Sequence, residues 1–530
     1  MSEQTETEVP TIEFVVDGLD VSVPDDGASL LGTLRDRLGN RSPKDGCSPQ
    51  GQCGCCTVLV DGQPRVACVT PTRRVAGRTI TTLDGFAQEE QQRWANAFCA
   101  TGASQCGFCT PGIIVRLAGL EAKKPDATKA DVDKALAAHL CRCTGWQTIH
   151  EAWDIRHDPP EIAASTSASI TGSVEGGVAQ SVGTEIALGR GGFADDSAPE
   201  GAPVAVRASD GSWAVGNTLH HARQLAGKVQ GRRTTRELSH PIDLPAGEWA
   251  ASLQTTWTEP GYLETDASWA QPNSAAISAL GNAGAFGSKT TSPAPATAAE
   301  LADEHHQAIR VLLSREDTVR LGPKRPPVAG GANPDGTGLL RIAATSPQLT
   351  EPRYGCSSID ELVALFAPGI ELEHVETPGP PTSADIRGAV WAEAVCLAAM
   401  AQGELRRLEV PGGPWAHATV DETGIMVHAS SPAGLATFDR TVLRSYCIGA
   451  AHMATSLVRS ESLTVDEAGE VHDLTIRSFG ILKASETPPV DIEFTETGIA
   501  HEHSISDLVF AAVAAATSVH LKASQWPADH

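Results

Sequence analysis

Basic charge is scarce in this 530-residue chain: 40 Lys+Arg stand against 65 Asp+Glu, a formal net charge of −25. Contacts to nucleic-acid phosphates need clustered Lys and Arg, and no basic stripe is present, so nucleic-acid binding is excluded. Long apolar runs are missing too. No stretch approaches the roughly 18 consecutive apolar residues of a membrane-spanning helix. The opening MSEQTETEVP has neither a twin-Arg pair nor a hydrophobic stretch of signal length, which points to the cytoplasm. There is no internal repeat, no P-loop and no G-x-G-x-x-G after a strand, so flavin and dinucleotides lack a recognisable fingerprint. With 41% hydrophobic residues the chain is long enough for roughly two to four domains with their own cores. The 50 Gly and 34 Pro point to long loops between elements.

Cysteine, by contrast, is concentrated. Of 13 cysteines, ten lie between Cys47 and Cys143, and in a reducing compartment such crowding means metal ligation or redox chemistry more often than disulfides. The first of them sit in a compact α+β unit. IEFVVDGLDVS (12–22) reads as a hairpin turning at Asp17-Gly18. SLLGTLRDRLG (29–39) places Leu30, Leu31, Leu34 and Leu38 on one helical face, and TVLVDGQPRVACV returns as a hairpin around Asp61-Gly62. From about 80 to 155 the pattern is helical, through EEQQRWANAF, TPGIIVRLAGLEA (opened by Thr110-Pro111) and KADVDKALAAHL. Residues 156–180 are small, polar and Pro/Gly-containing, the composition of a linker. Residues 181–530 mix strand-like runs (PVAVRA, IRVLLS, DLTIRSFGIL) with helical ones (AVWAEAVCLAAMA, DLVFAAVAAATSVHL) without a regular βαβ rhythm. A subdomain break is expected near 370–385.

The first thiol group is GCSPQGQCGCC, with Cys47, Cys53, Cys55 and Cys56, followed by Cys68. An iron–sulfur cluster needs four thiolates converging on two irons, and Gly46, Gly51 and Gly54 let a tight loop supply three of them. Cys47, Cys53 and Cys56 give C-x5-C-x2-C, one residue longer in its first gap than the ferredoxin spacing, with Cys68 as the fourth ligand. Cys55 is then a bystander, replacement of a neighbour being the minor alternative. Zinc is the competing reading, because Cys53 and Cys56 also form a C-x2-C pair.

The second group is QCGFCTPG (105–112) and CRCTGW (141–146). One precedes a helix and the other follows one, so two antiparallel helices would bring Cys106, Cys109, Cys141 and Cys143 to one pole of a bundle. Helix N-terminal amides there stabilise thiolate charge. Cys99 reads as a buried hydrophobe, and Cys356, Cys396 and Cys447 lack partners at metal-site spacing. The pairs His220-His221, His305-His306 and His501/His503 read as solvated or structural.

With QCGFCTPG and CRCTGW in place, residues 12–155 resemble the two-cluster iron–sulfur module of the molybdenum hydroxylases, the xanthine dehydrogenase and aldehyde oxidase family. The resemblance implies an α+β chain with a β-grasp, ferredoxin-like 2Fe-2S domain over 12–79 and a helical-bundle 2Fe-2S domain over 80–155. It implies that Gln105 approaches a molybdopterin, that the helical-domain cluster lies nearer that cofactor, and that the ferredoxin-like cluster passes electrons onward to flavin. The α/β region 181–530 resembles part of the molybdopterin-binding subunit. GRGGFADD (189–196), YLETDASWA (262–270), GNAGAFGSK (281–289), SREDTVRLGPKRPPVA (314–329) and the stretch 465–494 follow its order. Gly281, Gly284 and Gly287 would then let the backbone approach the cofactor. Ala283, Ala285 and Ser288 stand where the family more often has glycine.

The departures are absences. No Gly-x-Gly-Glu supplies the family's catalytic base near the C-terminus, and no Arg-Gly-Phe-Gly loop is found. Glu502 and Asp507 are the only nearby substitutes, so no catalytic residue is assigned. The chain is also shorter than an iron–sulfur module joined to a complete large subunit. The expected function is that of an electron-transfer subunit of a molybdenum hydroxylase-type oxidoreductase complex, carrying two 2Fe-2S clusters. Molybdopterin would be shared with or held by a catalytic partner chain, and a flavin subunit or soluble acceptor would take the electrons. The alternatives are a self-contained molybdopterin-dependent hydroxylase of aldehydes or N-heterocycles, and a non-catalytic cluster-containing scaffold or assembly protein.

Overall fold

Alternating burial in TIEFVV turns Ile12, Phe14 and Val16 inward along strand Thr11–Val16. A turn with positive φ at Asp17 and Gly18 returns the chain as Leu19–Pro24. A computed structural model provides the coordinates and describes residues 10–163, 165–228, 234, 236–277, 284–289, 291–343, 346–433, 438–500 and 502–529. The first five strands form one mixed sheet in the order Leu19–Pro24, Thr11–Val16, Thr79–Thr81, Thr57–Val60, Gln63–Val66. The first strand is parallel to Thr79–Thr81, so the segment between must cross over. That crossover holds the helical segment 30–37, with Leu30, Leu31 and Leu34 buried beneath it. This is a β-grasp arrangement.

Four helices follow: Gln88–Thr101, Thr110–Lys123, Lys129–Leu136 and Gln147–Ile155. Trp94 packs against Phe98 and Trp153, each ring centroid 6.4 Å away. Pro111 occupies the first turn of its helix, and a capping box at Thr128 and Asp131 starts the next. The apolar core under these two regions is continuous with Trp257, Ile476 and Phe479 from the later sequence.

Three further sheets make up most of the rest. One runs Trp213–Gly216, Val204–Arg207, Ile309–Leu312, Ala267–Ala270. The second runs Ile370–Val375, Gly338–Ala343, Val328–Ala332, Ala251–Thr255, Gln525–Trp526. The third contains Trp415–Asp421, Gly424–Pro432 and Val490–Thr497, with the short Leu408–Glu409 at its edge. Helices Trp391–Gln402, Arg440–Arg459 and Ile505–Leu521 pack on one another and carry the largest buried faces. The C-terminal pair Gln525–Trp526 lies parallel to Ala251–Thr255, so the chain returns to that sheet after passing 370–385.

Two segments differ from the sequence reading. DLTIRSFGIL (473–482) is irregular, not a strand, because its backbone finds side-chain partners: Ile476 N donates to Gln50 Oε1 (3.1 Å) and Arg477 N to Gln52 Oε1 (3.3 Å). Within 156–180, Thr166–Gly176 forms a helix capped by Ser165, its Gly172 and Gly176 lying close to Tyr446 of the long helix.

Buried charges tie the later region to the first. Arg315 is fully buried and donates to the carbonyls of Tyr262, Leu263 and Gly46 at 2.6–2.9 Å. Arg142 pairs with Glu461 through both guanidinium nitrogens. His452 is buried and bonded through Nε2 to Leu482 O (3.2 Å), and burial, with Arg142 nearby, holds its pKa down to about 4. Its stabilising contribution is therefore complete above the ordinary value of 6.5 and is lost as pH falls toward 4, where the unfolded chain takes the proton first. This residue should account for on the order of 3 kcal/mol of stability lost between about pH 7 and pH 4. Denaturant unfolding of His452→Gln should show a smaller drop over that range. An equal drop in both proteins contradicts the assignment.

Candidate electron-transfer site

In loop 44–56 left-handed φ at Gly51 (70°) and Gly54 (72°) folds the chain around its thiols. The Cys47 thiol is in hydrogen-bond contact with those of Cys53 and Cys68, and Cys68 reaches Cys56 in turn. All four are buried. Hydrogen bonds from the Cys53 and Cys68 thiols, joined by the amides of Gln52 and Gln50, hold the Cys47 thiol well below the usual range. Cys68 N points at Cys56 Sγ (3.4 Å). Such amides stabilise thiolates that carry cluster charge. Cys55 is buried beside Cys53 and touches both its thiol and, at 3.8 Å, its carbonyl.

The second group is arranged pair by pair. Cys106 and Cys143 Sγ are 3.6 Å apart, and Cys109 contacts Cys141. Hydrogen bonds from Cys109 and from the Thr144 hydroxyl lower the Cys141 thiol to about 6. Two facing pairs of thiols match the donor set of a two-iron core in which each iron takes two thiolates. Both groups fit a 2Fe-2S cluster by this test. QCGFCTPG leads into helix Thr110–Lys123, whereas CRCTGW lies beyond the end of Lys129–Leu136 and leads into Gln147–Ile155, so the second motif opens a helix and does not close the one before it.

The two groups interlock through backbone. Leu140 N donates to Cys53 O at 3.0 Å, joining the residue before Cys141 to a thiol residue of the first loop. A Cβ on Gly54 would lie 2.4 Å from the His139 ring, and one on Gly112 would lie 2.4 Å from Gly54 O. The His139 ring, bonded to Thr57 Oγ1 (3.1 Å), fills the space between the loops.

Beyond the second group opens a cavity of about 380 Å³ lined by Gln105, Cys143, Gly284, Gly287, Arg387 and Tyr446. Gln105 donates to Cys143 O (3.0 Å) and Ser445 Oγ (2.9 Å), leaving its Oε1 without a partner among the described residues. Of the glycine loop, Gly281 lies outside the described residues. Gly284, at φ 70°, leaves room for Cys143 Sγ, which a Cβ would meet at 2.7 Å. Gly287 packs on Asp385 O, where a Cβ would sit at 1.7 Å. Phe286 lines the cavity, edge-on to Tyr446 and under the Arg387 guanidinium.

The acids near this cavity are engaged in structure. Asp507 accepts from Arg387 Nε at 2.7 Å. Glu175, which sequence reasoning passed over, caps the C-terminal helix by accepting from Ile505 N and Ser506 N. Glu502 stands exposed at the rim. No sequence signal links Glu175, Arg387 or Gly449 to the site, because each acts over a long separation. Gly449 lies against Cys143 O, which a Cβ would meet at 1.7 Å. Gly449→Ala should therefore force the long helix away from Cys143 and abolish the visible-region circular dichroism of the second cluster while sparing the first. Two intact cluster spectra in the variant would contradict this packing role.

A family model described as "[2Fe-2S] binding domain" matches residues 82–154. The chain is 41% identical over 124 residues to the nicotinate dehydrogenase small FeS subunit of Eubacterium barkeri, covering 23% of this chain and 78% of that protein. It is 37% identical over 146 residues to the xanthine dehydrogenase iron-sulfur-binding subunit of Escherichia coli O157:H7, covering 27% and 91%. The fold of the aldehyde oxidoreductase from Desulfovibrio gigas superposes with a TM-score of 0.68 and 15% identity, covering 98% of this chain and 99% of that one. These likenesses bear out the α+β fold, the 2Fe-2S clusters and an electron-transfer role, and no helix among the described residues is long and apolar enough to cross a membrane. The chain belongs to the molybdenum hydroxylase family of xanthine dehydrogenase and aldehyde oxidase type oxidoreductases.

Proposed function

We propose that Cys47, Cys53, Cys56 and Cys68 ligate one 2Fe-2S cluster, that Cys106, Cys109, Cys141 and Cys143 ligate the other, and that the chain conducts electrons for a molybdopterin-bearing catalytic partner. Each cluster, when bound, supplies reversible one-electron chemistry. The observation that carries the reading is the facing of thiol pairs Cys106/Cys143 and Cys109/Cys141, with Leu140 N–H bonded to Cys53 O between the groups. Thr144 Oγ1 and the Gln50 and Gln52 amides hold negative charge on their thiolates, and all eight are buried. Gln105 orients the Cys143 end of this path toward the large cavity. Domain limits of 12–79 and 80–155 go with this division of ligands, and a cytoplasmic setting suits reduced thiols. A flavin chain or a soluble acceptor would receive the electrons.

Catalysis belongs on the partner in this reading, because Asp507 and Glu175 are spent on Arg387 and on helix capping. A second reading keeps molybdopterin on this chain. It is favoured by the unpartnered Gln105 Oε1 and by the approach of Gly284 to Cys143 beside a cavity of about 380 Å³. Gln105 Oε1 would then accept an N–H of the pterin, with Gly284 and Gly287 admitting it closely. Metal analysis of the anaerobically purified chain should find about four iron and four acid-labile sulfide per polypeptide. Zinc in place of iron would overturn the ligand assignment. Molybdenum remaining with the isolated chain at one per polypeptide would favour the second reading.

A further inference from the structure

A second cavity, of about 220 Å³, lies against the other thiol group and shares no lining residue with the first. Cys68, the last thiol of the first group, forms part of its wall. The aromatic part of the lining comes from Phe108 and Phe193, which meet edge to face at 5.0 Å. Phe108 belongs to the second thiol motif, so this cavity touches both. Half-buried Arg223 and Leu219 stand at its outer side, the guanidinium bonded to Asp45 (3.2 Å) and Ser48 (2.8 Å). Deep in the wall is Glu264, only 4% exposed, whose Oε2 is held by Lys289 at 2.7 Å and whose Oε1 has no hydrogen-bond partner among the described residues. Lys289 itself lines the first cavity, so this ion pair is the partition between the two.

Size, chemistry and position narrow the occupant. A cavity of about 150 Å³ accommodates one benzene ring, so the space here suits, by size, a planar molecule of about two rings. The charged lining residues are paired, Arg35 with Asp195 and Asp196, Lys44 with Asp196 and Arg223 with Asp45. The edges of Phe108 and Phe193 are therefore what a ring would pack on, and Arg223, its Nη2 taken by Asp45 and Ser48, has further N–H donors for a carbonyl oxygen. Contact with a cluster thiol makes a redox-active ring the fitting class. We infer that this cavity is the binding site for a small quinone, which takes electrons from the first cluster directly within this chain. The inference rests on Cys68 being a ligand of that cluster.

The chemistry balances as Q + 2e⁻ + 2H⁺ → QH₂. Each cluster holds one electron, so one electron passes from the first cluster to the quinone, the second cluster refills the first, and a second electron follows. Two protons enter from solvent past the half-buried rim, and both clusters are left oxidised. The hydroquinone O–H formed at the inner end is the donor that Glu264 Oε1 lacks.

The test uses the full cluster-loaded chain, reduced with a stoichiometric amount of titanium(III) citrate and mixed anaerobically with menadione, a two-ring quinone. The rate of return of cluster absorbance should saturate with menadione. Leu219→Trp, which fills the cavity from its rim, should lower the rate at low quinone by about tenfold or more, and Leu219→Phe should fall between. Ferricyanide, which needs no pocket, should reoxidise all three proteins equally. A rate that climbs linearly with menadione, or one unaltered by both substitutions, would overturn the inference. Failure of the ligand assignment looks different: no cluster absorbance exists before quinone is added.

Discussion

One backbone hydrogen bond organises the N-terminal third of this protein: Leu140 N–H to Cys53 O, 3.0 Å long, between two loops that each carry thiols. For that bond to form, both loops must approach to backbone contact, and this is possible only where side chains are absent. Gly54 meets His139, and Gly112 meets Gly54 O, at distances that leave no room for a Cβ. The β-grasp sheet supplies one loop and the pair of helices the other, so the juxtaposition of two redox centres follows from how two small folds dock. The gap between them is then spanned by peptide groups and a histidine ring.

The later region adds depth to the same arrangement. Arg315 reaches across to Gly46 O at the mouth of the first thiol loop, Gln50 and Gln52 accept amides from 476 and 477, and Gly449 lets the long helix rest on Cys143 O. Buried ion pairs such as Arg142–Glu461 carry little net stabilisation but a large penalty if half of the pair is removed, so they fix the relative placement of the regions they join. The result is a pair of cavities, one against each thiol group, divided by Lys289 and Glu264. Such an order suits a chain in which electrons enter at one end and leave at the other.

Much of this was legible in the residues alone, for reasons of range. The hairpins around Asp17-Gly18 and Asp61-Gly62, the helix start at Thr110-Pro111 and the two cysteine motifs are local patterns, and local patterns survive in sequence. What was missed is long-range. DLTIRSFGIL carries strand-like residues, yet its amides are satisfied by Gln50 and Gln52 more than 400 positions away, and no window could reveal that. The helix Thr166–Gly176 was hidden by small, polar residues that pack closely against Tyr446. Glu175 and Gly449 matter through partners on distant elements, and Gly281 lies outside the described residues.

The central claim is that this one chain holds two separate clusters in electronic series. Reductive titration followed by electron paramagnetic resonance tests it most directly. The account predicts two distinguishable reduced 2Fe-2S signals, each growing to about one spin per chain, with mutual broadening when both are reduced. A single signal, or two that never influence one another, would contradict it.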